Sequence, residues 1–404
     1  MRRVVITGAG AICALGRDAR ATWAGMREGR SAIAPLAGFD GRDMRVKIAA
    51  QVRDYDPAQY FDAKKLLLLD RVSQFALVAA REAVGQSGLD FAQGDLRQRS
   101  ACVIGTGTGG ETTNDECSRR LYAEGNPRLH PLSIVRRMMS APVSQVSIEF
   151  GITGPSFAVS SACASANHAF AQSLSLVRSG AADVVLAGGT EACLTLGVLR
   201  AWEAMRVLAD DTCRPFCRQR RGLVLGEGAG MFVLEDFDHA RARGAEILAE
   251  FAGAGMSADA ADIVMPSADG AARAIAAALR DARLNADDID YINAHGTATP
   301  ANDPTETRAI HLVLREHARE VAVSSTKSVH GHALGAAGAL EMIAALGALR
   351  EGVAPPTANF IDPDPECDLD YVPNVARELP VRVVLSNAFA FGGLNAVVAL
   401  KRTA

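Results

Sequence analysis

The chain has 404 residues, 49% of them hydrophobic and 5% aromatic, with a formal charge of −4. That length allows one large or two medium globular domains with a substantial core. The mildly negative balance argues against nucleic acid as a bulk partner. Eight cysteines lie scattered, several in apolar runs, which is unlike a secreted disulfide framework and points to the cytoplasm. Cys213 and Cys217 are close, but no second Cys or His pair completes a metal set, so no metal is expected. No stretch reaches the length of a membrane span.

In chain order, Met1-Arg2-Arg3 and the apolar run after it faintly suggest a leader, but three glycines interrupt the run. Val4–Thr7 reads better as a buried strand turning at Gly8-Ala9-Gly10. The spacing Gly8, Gly10, Gly16 is not a dinucleotide fingerprint. Residues 65–86 look helical. The strand at 101–104 runs into Gly105-Thr106-Gly107-Thr108-Gly109-Gly110, which lacks the Gly-Lys-Ser/Thr ending of a phosphate loop. A helix is expected over 132–150, strands near 183–186 and 231–234, and a helix over 194–206. The Arg-rich loop 210–221 reads as a solvated surface element or, less simply, a partner site. From Ile247 the strand-glycine opening is echoed at Gly253-Ala254-Gly255. Helices over 268–283, 304–317 and 336–350 then alternate with strands at 289–294, 321–324, 382–386 and 396–400. This alternation implies an α/β chain with two halves, 1–250 and 251–404.

Four stretches carry chemistry. In Ser160-Ser161-Ala162-Cys163-Ala164-Ser165 a cysteine sits where a helical pattern begins, and unpaired N–H groups at a helix start favour a thiolate. Alone, it reads as a small buried cysteine among alanines. Asn293-Ala294-His295-Gly296-Thr297-Ala298-Thr299 follows a buried strand and leads to Glu306. Lys327 is one of few lysines (with Lys47, Lys64, Lys65 and Lys401) and stands in a Gly-rich segment with His330 and His332. Ser386-Asn387-Ala388-Phe389-Ala390-Phe391-Gly392-Gly393 ends a strand. Singly, these read as a core histidine, a snorkelling lysine and a tight aromatic turn.

Taken in this order, the four stretches closely resemble the β-ketoacyl-acyl carrier protein synthases, the elongating condensing enzymes, along nearly the whole chain. The resemblance implies a thiolase fold, two similar βα halves in α-β-α-β-α layers. The first half would carry Cys163 and the second the histidines and lysine. It also implies a ping-pong decarboxylative Claisen condensation. Cys163 would take the acyl chain, the N–H groups of Cys163 and Phe391 would form an oxyanion hole, and His295 and His332 would hydrogen-bond the enolate from malonyl thioester. Lys327 with Glu306 would support the histidines, Phe391 with Phe389 would gate malonyl entry, and Thr297 and Thr299 would bind the phosphopantetheine arm or extender. No cofactor is implied beyond that arm, which belongs to acyl carrier protein, the expected partner. His168 matches a family position but is ranked structural, and His330 receives no role. A homodimer is implied, and the Leu66–Leu69 run leaves a heterodimer open.

Several positions depart from housekeeping members. Thr108 stands where a bulky apolar residue is common in the acyl pocket, Ala390 where glycine is usual and Leu394 where threonine is common. Leu67 and Leu68 occupy positions that are often basic, and 217–221 lacks two usual aspartates. These departures resemble members dedicated to nodulation lipids, polyenes or type II polyketides. A non-catalytic chain-length-factor subunit is disfavoured by Cys163 and both histidines. A thiolase is disfavoured by the lack of a cysteine in the C-terminal Phe-Gly-Gly motif.

Overall fold

The computed structural model describes residues 1–38 and 43–403. Its main sheet has ten strands, numbered here in chain order. The first five are β1 (Val4–Cys13), β2 (Ser100–Gly105), β3 (Ser156–Val159), β4 (Val184–Glu191) and β5 (Gly228–Asp236). The second five are β6 (Ala249–Ala258), β7 (Tyr291–Asn293), β8 (Ala322–Ser324), β9 (Val383–Ala390) and β10 (Leu394–Lys401). They lie side by side in the order β8-β7-β9-β10-β6-β1-β5-β4-β2-β3. Each half therefore repeats one topology. Its second strand lies parallel between the third and fourth, and its fifth and first complete the half antiparallel. The halves meet where β1 and β6 pair antiparallel, Val5 opposite Glu250 and Ile6 opposite Ala249.

Side chains alternate across each strand, so every strand feeds two cores. Ala101 and Val103 of β2 enter a central core shared by both halves, whereas Cys102 and Ile104 enter an outer one. Six helices position the site: α1 (Arg71–Ser87), α2 (Ser165–Ser179), α3 (Leu196–Ala204), α4 (Ala268–Ala282), α5 (Asn302–Leu314) and α6 (Ala337–Glu351). The central core is built around α2 and α6, which pack against strands of both halves. Every residue of α6 from Ala337 to Leu349 is buried, as an apolar helix between the two halves of the sheet requires. Phe170 of α2 meets Phe232 of β5 edge-on at 5.5 Å and Phe251 of β6 at 6.2 Å, so one ring joins the halves. Helix α1 covers the outer face of the first half, and α4 and α5 that of the second. The result is the layered α-β-α-β-α arrangement.

The echoed glycines have one cause. A Cβ on Gly8 or Gly10 would lie 2.0 or 2.1 Å from a carbonyl oxygen of α1, and one on Gly255 2.2 Å from backbone atoms of α4. In both halves the first strand touches its outer helix backbone to backbone.

Three expectations change. The helix predicted over 65–86 is two: Ala63–Leu66, then α1, which Asp70 caps by accepting the Val72 N–H. The capping carboxylate also holds Thr112 and Thr113, so this tertiary contact sets the break. The helix over 132–150 divides into Ser133–Arg137 and Ala141–Phe150, with Met138 extended between them and Pro142 in the first turn of the second. The loop 210–221 is not simply a solvated surface element. Cys213, Phe216 and Cys217 are buried, and Phe216 stacks on Tyr371 at 4.0 Å. Among the described residues, no helix is long and apolar enough to cross a membrane.

Glycine contact makes a prediction. Gly255→Ala drives a methyl into the α4 backbone and should cost about 1–3 kcal/mol. Gly85→Ala, on α1 with no atom within 4 Å among the described residues, should gain about 0.5–1 kcal/mol. Denaturant melts of both variants check this; equal effects would contradict the packing account.

Candidate active site

The cysteine is presented by a strained turn. After β3 the chain reaches Ala162, whose φ of 49° lies in the left-handed region that alanine normally avoids. One 3₁₀ turn, Ala162–Ala164, carries Cys163 into α2. Ser165 locks it, donating to the Ala162 carbonyl at 2.6 Å and accepting the Ser161 N–H at 2.9 Å. Cys163 thus sits at the helix start, and the N–H groups of Cys163 and Phe391 reach its sulfur. Burial dominates the thiol nonetheless. It pushes the pKa up to about 12, although Lys327 and those N–H groups pull the other way. The helix start alone does not make a resting thiolate, because desolvation outweighs it.

His295 follows β7. Glu306 of α5 accepts its backbone N–H at 2.8 Å with one oxygen and that of Gly296, also at 2.8 Å, with the other, while Asn387 donates to the same carboxylate at 3.1 Å. Lys327, fully buried just after β8, donates to the His295 carbonyl at 2.6 Å and forms an ion pair with Glu341 of α6. Its Nζ lies 3.4 Å from His295 Nδ1. An ammonium can only donate, so Nδ1 accepts and the neutral ring carries its proton on Nε2. His332 is held through its backbone, its N–H donating to the Val224 carbonyl at 2.7 Å and its carbonyl accepting from Gly226 at 2.9 Å. Both His332 ring nitrogens are buried without a hydrogen-bond partner among the described residues. The two imidazoles stand perpendicular, 5.5 Å apart, and the Phe389 ring is 6.1 Å from His295. Burial first, and the Lys327 charge second, hold both histidines well below the usual imidazole range. Both rings are therefore neutral at physiological pH.

A cavity of about 290 Å³ brings Cys163, His295, His332, Thr297, Thr299, Phe389 and Phe391 together, with Arg206, Val264 and Met265 also in its wall. The hydroxyls of Thr297 and Thr299 lie 3.0 Å apart. Phe391 sits on a turn with left-handed Gly392 and Gly393, and its ring lies 5.9 Å from that of Trp202 on α3. Lys327 and Glu306 stand behind the cavity wall, with Glu306 tied to the His295 backbone and Glu341 serving as the lysine's carboxylate partner. Thr108 is not among the lining residues and donates instead to Glu191 at 2.6 Å. His168 bonds to Ser161 at 2.9 Å and to the Ala164 carbonyl at 3.1 Å, and His330 to Thr326 at 3.0 Å. Leu67 and Leu68 are exposed.

Sequence reasoning overlooked Glu341, Glu191 and Asn387. Glu341 had left a signal as the one acid inside the apolar run Ala337–Leu349, since a charge in an all-buried helix needs a partner. Glu191, at the end of β4, and Asn387, inside β9, gave none.

Comparison with known proteins fits this geometry. Models of the β-ketoacyl synthase N-terminal and C-terminal domains match residues 1–240 and 248–361. "Nodulation protein E" of Rhizobium meliloti (strain 1021) is 52% identical over 401 residues, 99% of each chain. "3-oxoacyl-[acyl-carrier-protein] synthase 2" of a Synechocystis strain is 41% identical over 409 residues, 99% of this chain and 98% of its own. The structure of the ishigamide ketosynthase/chain length factor superposes with a TM-score of 0.94 at 38% identity, covering both chains fully. A type II polyketide ketosynthase solved in complex with its acyl carrier protein does so with 0.89 at 30%, again over both chains. The chain belongs to the β-ketoacyl synthase family. It is a condensing acyltransferase of the thiolase fold.

The buried ion pair sets an energetic expectation. Lys327→Met leaves Glu341 buried without its partner and should cost about 3–5 kcal/mol. Adding Glu341→Leu should recover part of that loss, as replacing both ends of a buried pair often does. A double-mutant cycle on chemical denaturation measures it, and additive losses would show that the two side chains are not coupled.

Proposed function

We propose that the chain is a carrier-dependent 3-oxoacyl synthase that takes an acyl group onto Cys163 and condenses it with a malonyl group on acyl carrier protein. The carrying observation is the convergence of one thiol, two neutral imidazoles and the N–H groups of Cys163 and Phe391 on a single cavity. In this reading the halves act as 1–250, which supplies the nucleophile, and 251–404, which supplies the histidines and lysine.

The Cys163 sulfur attacks the acyl thioester carbonyl, the two N–H groups take the developing oxyanion, and the carrier thiol leaves. Burial keeps the resting thiol protonated, so its proton is lost only as the sulfur attacks and ends on the departing carrier sulfur, which leaves as a thiol. The malonyl thioester then loses CO2, and the electron pair of the broken C–C bond becomes an enolate. His295 donates Nε2–H to the enolate oxygen, the tautomer that Lys327 enforces, and His332 donates beside it. The enolate carbon attacks the acyl carbonyl, the C–S bond to Cys163 breaks, and a chain longer by two carbons leaves on the carrier. Thr297 and Thr299 hold the phosphopantetheine arm or extender, and Phe391 with Phe389 gates malonyl entry. No protein-bound cofactor or metal enters the scheme. The eight cysteines are free, which fits a reducing cytoplasm.

A second reading concerns the acyl chain and the partner subunit. Identity to the nodulation protein exceeds that to the 3-oxoacyl synthase, 52% against 41%. Leu67 and Leu68 are exposed at positions that are often basic in the family, and Leu394 is partly exposed beside the gate loop. These features favour a specialised acyl chain over bulk fatty acids. A homodimer is the expected assembly and a ketosynthase/partner heterodimer the alternative.

Cys163→Ala should abolish condensation, whereas Cys163→Gln should still release CO2 from malonyl-carrier at or above the wild-type rate. Full condensing activity in the alanine variant, read by mass spectrometry of carrier-bound products, would sink the assignment. The pH dependence has a definite sign. Because both imidazole pKa values are lowered, the neutral pair persists below pH ~6.5, and the acid limb of decarboxylation should fall well under that value. Removing the Lys327 charge should move that limb upward, and a limb at or above 6.5 in the wild type would contradict the neutral pair.

A further inference from the structure

One buried carboxylate has no part in the chemistry just described. Glu191, fully buried at the end of β4, accepts the N–H of Gly107 at 2.7 Å and of Thr108 at 3.1 Å, and the Thr108 hydroxyl at 2.6 Å. It also accepts the N–H of Gly335 at 2.9 Å, from the other half of the molecule. The glycine loop 105–110 and the turn 334–336 are therefore pinned to one side chain. They also touch directly, since a Cβ on Gly335 would fall 2.3 Å from the Gly107 nitrogen and 2.7 Å from a Glu191 oxygen.

Three residues before Gly335 is His332. His295 has its ring held by Lys327 and its backbone by Glu306, but the His332 ring has no hydrogen-bond partner among the described residues. Its aim depends on the backbone at either side. Between the two lies Leu334, buried at a φ of 44°, a conformation that leucine keeps only when its surroundings impose it. The Gly335 N–H held by Glu191 comes directly after that strained residue.

We propose that Glu191 is a positioning residue which clamps the turn after His332 to the glycine loop of the first half and so sets the aim of the His332 ring into the cavity. This inference rests on the condensing role proposed for that cavity. The carboxylate acts by reach across the two halves. Thr108, polar where the family commonly has a bulky apolar residue, contributes the shortest of the bonds that hold it.

Three variants separate clamping from simple structural support. Glu191→Asp keeps the charge and loses reach. Glu191→Gln keeps reach and one oxygen able to hold Gly107 and Gly335, but loses the charge and turns an NH2, which cannot accept, toward the Thr108 N–H. Thr108→Val removes one hydroxyl bond at a half-buried position and should fold. For each, two rates are measured on the intact chain: acyl transfer from acyl-carrier to Cys163, and CO2 release from malonyl-carrier in the Cys163→Gln background. Clamping lowers only the second. The aspartate variant should lose roughly tenfold in CO2 release with acyl transfer within about twofold, and the valine variant roughly threefold. The glutamine variant should lie nearer the wild type than the aspartate one. An unchanged ratio of the two rates in the aspartate and valine variants overturns the proposal, and so does a parallel fall of both. Should the Glu191 variants not fold, the valine ratio alone decides in the same way. If Cys163→Gln with native Glu191 releases no CO2, the failure lies with the condensing role and not with the clamp.

Discussion

A lysine ammonium buried between two halves of a sheet protein must be neutralised, and the way it is neutralised organises this site. Lys327 has one carboxylate partner, Glu341, on the central helix α6 and one carbonyl partner, His295, on the loop after β7. Those contacts tie the β8 end, the β7 end and the central layer to one point. The same ammonium lies against His295 Nδ1, so a charge tolerated only because it is paired also selects the tautomer of a neighbouring ring.

That pairing works because the surrounding architecture buries both charges. The two halves clamp α2 and α6 between their inner faces, and α2 delivers Cys163 at its start while α6 delivers Glu341 in its interior. Burial of this kind raises the thiol pKa and lowers that of both imidazoles. It keeps the groups neutral until substrate brings in charge, and strengthens each hydrogen bond then made. The glycines are part of the same economy of space. At Gly8, Gly10 and Gly255 backbone packs on backbone, and Gly107 and Gly335 let the two halves meet beside the cavity.

Much of the fold was legible in the residues. Strand runs ending in glycine, alternating with helical periodicity, were enough to place an α/β chain with two halves, and the echo of Gly8-Ala9-Gly10 at Gly253-Ala254-Gly255 proved to have one steric cause. What misled were segments whose form is set from a distance. The break before α1 depends on Asp70 reaching Thr112 and Thr113, and loop 210–221 turned inward because Phe216 found Tyr371 and its N–H found Asp303. Such contacts join residues dozens to more than a hundred positions apart, and no local pattern encodes them.

For the site the division is similar. The sequence by itself determined which chemical groups are available, because cysteine, His-Gly-Thr, the lysine segment and Phe-Gly-Gly are each contiguous, and the last three carry their own glycine turns. It could not determine the protonation or the partners of those groups. Whether a thiol at a helix start is ionised depends on how much water reaches it, and here burial decided against the helix. Which carboxylate answers Lys327 was decided by α6 crossing the site, and which loop Glu191 holds by the meeting of the two halves. Desolvation and long-range contact are properties of the packed molecule, so only the tertiary structure could settle them.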